Sequence, residues 1–191
     1  VCGYRFYLLV WQNKEIGGYN ILCYINYKSF IYQLLLYSVY VYMEMENKIV
    51  KSSETALTTW YLVKSPDLNH HGTLFAGKAA LLFVEAGFIV SSLTLNTKEV
   101  VCLRIHGMLF KHPVESGDII GLTSQIIYAG RTSVGVYVKV FSKSSNELVV
   151  EGFLTFVKVD ETSPISIPHG LSIETDDQES TSLQAKYLKE K

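Results

Sequence analysis

The sequence predicts an α+β fold in which an antiparallel sheet curves around one long helix. Three observations carry that reading: an apolar stretch with helical spacing from Phe75 to Leu95, four β-prone runs after it, and short turns between those runs. Strands joined by short turns pair antiparallel, because a parallel crossover needs a dozen or more residues. A sheet with one apolar helix to cover it is an α+β arrangement.

The elements follow in order. Residues 1–43 hold nine of the thirteen tyrosines and four charged side chains. The uncharged run Ser29 to Met43 is 15 residues long, shorter than the roughly 20 that span a bilayer. No basic segment immediately precedes it and no small-residue cleavage site follows. Tyr37, Tyr40 and Tyr42 would suit a membrane interface, but membrane contact is not expected. The first methionines are Met43 and Met45, so residues 1–45 are read as an apolar, Tyr-rich leader and the native start is expected at Met43 or Met45. Thr55 to Lys64 is β-prone, and Ser65-Pro66-Asp67-Leu68-Asn69 reads as a loop. In the helical stretch Ala79, Leu82, Phe83, Ala86 and Val90 recur at three- and four-residue steps. Apolar residues fill most other positions too, so the helix is expected to be buried nearly all round. Strands are expected over Val100 to Lys111, Ile119 to Tyr128, Ser133 to Ser142 and Leu148 to Val159, with turns at Glu115-Ser116-Gly117-Asp118, Ala129-Gly130 and Ser144-Ser145-Asn146. Val134, Val136, Val138 and Val140 share one face. Past Asp160 the composition turns polar, and 161–191 is expected to be a mobile tail, with a short amphipathic helix near Leu183 to Leu188 as the alternative. The domain is therefore residues 46–160.

Composition excludes several function classes. The 191 residues suffice for one domain with a sizeable core. The net charge of −1 argues against nucleic-acid capture. Cys2, Cys23 and Cys102 are scattered, without the close spacing of a zinc ligand set. Neither a metal nor a cofactor is expected, and a reducing, cytoplasmic compartment fits. Cys102, in an apolar run, reads as a buried small hydrophobe.

The functional information concentrates in residues 69–87, where the polar turn Asn69-His70-His71-Gly72 feeds the apolar helix. A helix start offers unpaired backbone N–H groups to a developing negative charge. Glu85 is the one acid on that helix, and a carboxylate among apolar neighbours is a candidate general base. The arrangement suits attack on a carbonyl.

Three motifs together resemble the hotdog-fold acyl-CoA thioesterases, over roughly Leu57 to Val159. Asn69-His70-His71-Gly72-Thr73-Leu74-Phe75-Ala76-Gly77 is similar to the family's Asn-x-x-Gly-x-x-Phe-Gly-Gly entry to the central helix. Phe110-Lys111-His112-Pro113-Val114, followed by Gly117-Asp118, is similar to its Phe-x-x-Pro-Val-x-x-Gly-Asp turn. Ala129-Gly130-Arg131-Thr132-Ser133 resembles the Gly-Arg/Lys-Thr-Ser turn that meets coenzyme A.

The resemblance implies hydrolysis of fatty acyl-CoA to free acid and coenzyme A by a homodimer paired edge to edge, assembling further as a trimer of dimers. It implies that backbone N–H groups near Phe75, Ala76 and Gly77 hold the oxyanion, and that Gly130, Arg131, Thr132 and Ser133 bind the coenzyme A phosphates. Glu85 would activate water or attack as nucleophile. Thr73 would position the water, and Asn69 and His71 would orient groups. Two departures stand out. Many relatives carry Asp where this chain has Val84, and Ala76 replaces a glycine. Alternatives stay open: Glu85 pairs with Lys78, His70, His71 or Arg104 in a buried network, or Asn69 merely caps the turn. His106 and His112 are read as ordinary strand residues. Rival functions are a non-catalytic acyl-CoA-binding module and a hydroxyacyl-thioester dehydratase.

Overall fold

The computed structural model describes residues 48–191; the leader, its apolar run and the expected start site lie outside the described residues. The described residues fall within one compact unit.

Five strands build the main sheet. They are β2 (Leu57–Leu62), β3 (Val100–Phe110), β4 (Ile119–Ala129), β5 (Ser133–Ser142) and β6 (Leu148–Lys158), after a short β1 (Lys48–Lys51). The spatial order is β2-β4-β5-β6-β3, and every neighbouring pair is antiparallel. The long helix α1 (Ala76–Leu95) lies across one face. This is the α+β arrangement that the turns and helical spacing imply, and it agrees with the hotdog fold that the resemblance implies.

The alternation in β5 sets the inner face. Val134, Val136, Val138 and Val140 are buried against α1's Leu82, Phe83, Ala86 and Val90. Each of these side chains larger than alanine contributes about 1.5–3 kcal/mol on burial. Helix and sheet meet closely at Gly87, where an added Cβ would overlap Leu154 and come within 2.9 Å of Phe156. By length and composition α1 could cross a bilayer, but its apolar stripe is used on the sheet.

The helix is not buried nearly all round. Leu81 is 50% exposed and Phe88 36%, and Glu85 on the same side is exposed. The adjoining sheet edge is open as well. On β3, Ile105 faces core Leu154 and Phe110 faces core Val150, yet both stay nearly half exposed because no strand lies beyond them. Cys102 is likewise exposed, not buried, since it belongs to this edge strand. An apolar edge of 11 residues is a surface that soluble proteins normally cover.

Residues 161–191 are not a mobile tail: they form β7 (Leu171–Glu174), parallel to β1, and the helix α2 (Gln178–Glu190). Asp177 caps α2, its Oδ1 accepting from the Ser180 amide at 2.6 Å. Leu183 and Tyr187, four residues apart, bury themselves on the outer sheet face with Ile127, Tyr137 and Phe153. Gly135 makes the slot, since a Cβ there would stand 2.6 Å from the Tyr187 ring. Polar groups close it: Thr155 Oγ1 lies 2.8 Å from both the Tyr187 hydroxyl and His106 Nε2. The His106 Nδ1–H donates to the Glu190 carbonyl, 3.1 Å away. Sequence reading overlooked this anchoring because its partners are scattered through β3, β5 and β6.

Candidate active site

The loop from Leu68 to Phe75 delivers the chain to the start of α1. Asn69 organises it. Its Oδ1 accepts from the His71 amide at 2.9 Å and the Thr73 amide at 3.3 Å, and its Nδ2 donates to Thr73 Oγ1 at 3.0 Å. Gly72, with φ +80°, makes the reversal that a β-substituted residue would resist. Leu74 then donates to the Val114 carbonyl at 2.8 Å and Phe75 to the Asp67 carbonyl at 2.8 Å. Asn69 therefore caps this turn, and Thr73 is committed to it.

Asp67 supports the loop from below. Its carboxylate accepts from the Lys64 amide and the Tyr61 hydroxyl, both at 2.9 Å, and pairs with Lys78 at 3.8 Å. The Lys64 amide, foremost, holds the carboxyl below its usual range against the opposing effect of burial. By sequence alone Asp67 is a loop residue, and its place three after Lys64 is the one local signal of this cap.

Phe75, the N-cap of α1, supplies no side-chain cap. Phe75, Ala76 and Gly77 are exposed, so this end of the helix is accessible to a ligand carrying partial negative charge. A cavity of about 280 Å³ opens here, lined by Asn69, Leu74, Ala76, Ala79, Phe110 and His112 among others. It brings together Asn69 and Ala76 from the expected site. It also adds His112, an ordinary strand residue by sequence alone. His71 and His70 are exposed, their rings 3.9 Å apart.

Glu85 is not among the residues lining that cavity. It stands nine residues beyond Ala76, about 13 Å along the helix axis, on the exposed side. The alternative of a buried network falls: Lys78 pairs with Asp67 instead, and Arg104 Nη1 donates to the Lys191 carbonyl at 3.1 Å.

The Gly130–Ser133 turn is at the other end of the sheet. Gly130 donates to the Ser133 carbonyl at 2.8 Å, and Thr132 accepts from the Lys158 amide at 2.9 Å. Ten strand steps along β4 separate this turn from the Val114–Asp118 end where α1 begins, about 33 Å at the usual rise. Arg131 is exposed and borders a cavity of about 410 Å³ with Gly130, Pro168, Gly170, Leu171 and Ser172. His169 ties this segment to the turn. Its amide donates to the Arg131 carbonyl at 3.3 Å, and its Nε2 lies 3.2 Å from the Ser133 carbonyl. Burial, with a smaller push from Lys158, lowers the imidazole's pKa despite the Ser133 bond. No local pattern in the sequence marked His169.

The candidate residues thus lie at opposite ends of one chain's sheet: a helix start with accessible N–H groups, and a turn bearing Arg131 and hydroxyls. Among the described residues, no three His, Cys, Asp or Glu side chains cluster as a metal site.

Comparison with known proteins matches residues 71–149 to the thioesterase superfamily. The uncharacterized acyl-CoA thioester hydrolase YkhA of Bacillus subtilis is 30% identical over 128 residues, which are 64% of this chain and 69% of that protein. The crystal structure of an acyl-CoA hydrolase from Bacillus cereus superimposes with a TM-score of 0.65 at 29% identity, covering 74% of this chain and 87% of that one. An apo-hexameric acyl-CoA thioesterase gives 0.66 at 30% identity, covering 75% and 92%.

Proposed function

We infer a shared-site mechanism from one premise: this chain belongs to the thioesterase superfamily, among its acyl-CoA thioester hydrolases. It hydrolyses the thioester of acyl-CoA to free acid and coenzyme A. Water adds to the carbonyl carbon, the carbon–sulfur bond breaks, and the coenzyme A thiolate leaves and takes up a proton.

In the proposed site the thioester carbonyl lies at the start of α1, where the N–H groups near Phe75, Ala76 and Gly77 receive the oxyanion. One such donor is worth about 3–4 kcal/mol in a transition state. Ala76 in place of glycine adds one methyl at an exposed position, which leaves the amide approachable. Asn69 acts by holding the loop, and Thr73 and His71 flank the entrance. Glu85, too far along α1 to reach the carbonyl held at its own helix start, would serve as general base for the site at the partner's helix start, across the face that the second subunit covers; desolvation there would make it a stronger base than in water. Arg131, Thr132 and Ser133 hold the coenzyme A phosphates, with the guanidinium supplying charge-assisted hydrogen bonds.

The carrying observation is the separation of the half-sites. A coenzyme A ester reaching from the α1 start to its own chain's Arg131 would have to span the sheet. A two-fold partner laid antiparallel along β3 and the open side of α1 places a second Arg131 turn at the end where the first helix begins. It also buries Leu81, Phe88, Ile105 and Phe110, and it extends the sheet past its open edge. We therefore propose a homodimer with sites shared between chains, with a trimer of dimers as the higher assembly. The chemistry asks for no cofactor beyond the coenzyme A within the substrate. The free, exposed Cys102 suits a reducing, cytoplasmic setting.

Subunit complementation tests the sharing. Asn69→Ala and Arg131→Ala proteins, each weak at low acyl-CoA concentration, are unfolded together, refolded and assayed. Random pairing leaves one intact site in each mixed dimer, so about a quarter of wild-type activity returns. No recovery, with mixed dimers present by mass spectrometry, would place both half-sites in one chain.

A further inference from the structure

The segment between β6 and β7 is folded onto the Arg131 turn in a way the hydrolysis reaction does not explain. After β6 the chain reverses at Asp160, whose Oδ1 accepts from the Thr162 amide at 3.0 Å and from Ser163 Oγ at 3.1 Å. The returning strand is pinned by the Ile167 amide on the Lys158 carbonyl at 3.0 Å. His169 follows, and Gly170, at φ +65°, turns the chain into β7. The residues from Pro168 to Ser172 then face Gly130 and Arg131 across the cavity of about 410 Å³.

The hydrogen bonds of His169 fix its tautomer. Nδ1 accepts from the Leu171 amide at 3.0 Å, so the ring proton is on Nε2 and is donated to the Ser133 carbonyl. The ring is thereby held by its own segment on one side and by the turn on the other. Ser133 and Arg131, the proposed phosphate ligands, both use their carbonyls to receive His169. Their N–H groups and side chains are left for a ligand. The stretch matched to the superfamily ends at residue 149, so this clamp is contributed by a part of the chain beyond it.

We propose that His169 is a positioning residue for the coenzyme A end of the substrate, clamping the Pro168–Ser172 segment to the Arg131–Ser133 turn so that the two form opposite walls of one nucleotide-binding cavity. This rests on the reading of Arg131 as a phosphate ligand. His169 touches no reacting atom; it holds in place the turn that would meet the adenosine diphosphate moiety.

The two ring nitrogens can be separated by substitution. Gln reaches about where Nε2 reaches and can donate to the Ser133 carbonyl. Asn reaches only to Nδ1 and keeps the Leu171 bond alone. The experiment measures KM and kcat for an acyl-CoA and for the matching acyl-pantetheine, in His169→Ala, His169→Asn, His169→Gln and Arg131→Ala. His169→Ala and His169→Asn raise KM for the CoA ester about fivefold, the size of one lost hydrogen bond, leaving KM for the pantetheine ester unmoved; His169→Gln restores the CoA value. If Arg131→Ala raises KM for the CoA ester and His169→Ala does not, the clamp is wrong and the phosphate site stands. If all three His169 variants raise KM for both esters equally, the residue is merely structural and the inference is overturned. If Arg131→Ala itself has no effect, the phosphate reading falls and the clamp falls with it.

Discussion

The two ends of the sheet are built by opposite means. At the helix-start end, the side-chain bonds run between near neighbours, with the Leu74 amide on the Val114 carbonyl as the long-range tie: Asn69 holds His71 and Thr73, and Asp67 holds Lys64. At the turn end, Arg131 and Ser133 are held by His169, and the strands behind them by Tyr187, from dozens of residues away. The first end is a local motif and would assemble early. The second is completed only when the C-terminal segment docks. An enzyme that must create an oxyanion site and a phosphate site has thus made one from sequence-adjacent residues and the other from distant ones.

The largest effect is expected at Glu85, midway between the ends. Glu85→Gln should leave far-ultraviolet circular dichroism and thermal unfolding unchanged while kcat falls by roughly 10²–10⁴, the usual worth of a general base. Unchanged turnover would remove Glu85 from the mechanism and leave the chain without a substitute for the acid absent at Val84.

Next comes Tyr187, fully buried on the outer face. Tyr187→Ala should cost about 3–5 kcal/mol by urea unfolding, the range for deleting a large buried aromatic. Hydrogen exchange should rise around Tyr128 and Gly135 and stay as it was around Asn69. Uniform acceleration at both ends would mean that they are one cooperative unit. Asn69→Ala makes the reverse test. It removes several local hydrogen bonds, for about 1–2 kcal/mol, and should loosen Thr73 and Phe75 and lower kcat without moving the unfolding of α2.

This contrast also explains what was legible in the sequence. Val134, Val136, Val138 and Val140 alternate, so β5 and its inner face could be read directly. Asn69, Gly72 and Gly77 stand at close spacing before a helical repeat, so the helix entrance could be read too. The C-terminal segment could not. Leu171, Leu183 and Tyr187 are few and set among polar residues; Leu171 joins the main core, and Leu183 and Tyr187 gain meaning only on an outer sheet face whose slot is made by Gly135, His106 and Thr155 on three other strands. The exposed face of α1 was misread for a related reason: Leu81 and Phe88 suggest burial, but within this chain nothing covers them. Apolar periodicity reports that a surface is to be covered without saying by which chain.

The smallest effect expected is a pH dependence confined to the turn end. Burial holds the His169 imidazole below its usual pKa in the folded chain, while the unfolded chain titrates near the ordinary value of about 6.5. Folding therefore releases a proton in the interval between the two. The contribution of His169 to stability is complete above about pH 6.5 and is lost as pH falls through the folded value. The structure gives the cause at atomic level: once protonated, Nδ1 becomes a donor facing the Leu171 amide, which is also a donor, and nearby Lys158 repels the new charge. His169→Gln cannot titrate. Melting temperatures of the two proteins should run together from pH 8 to about 7 and separate below, the wild type falling faster. Curves that stay parallel down to about pH 5 would mean that the Leu171 bond is not maintained in solution, and the turn end would then owe its order to Tyr187 and α2 alone.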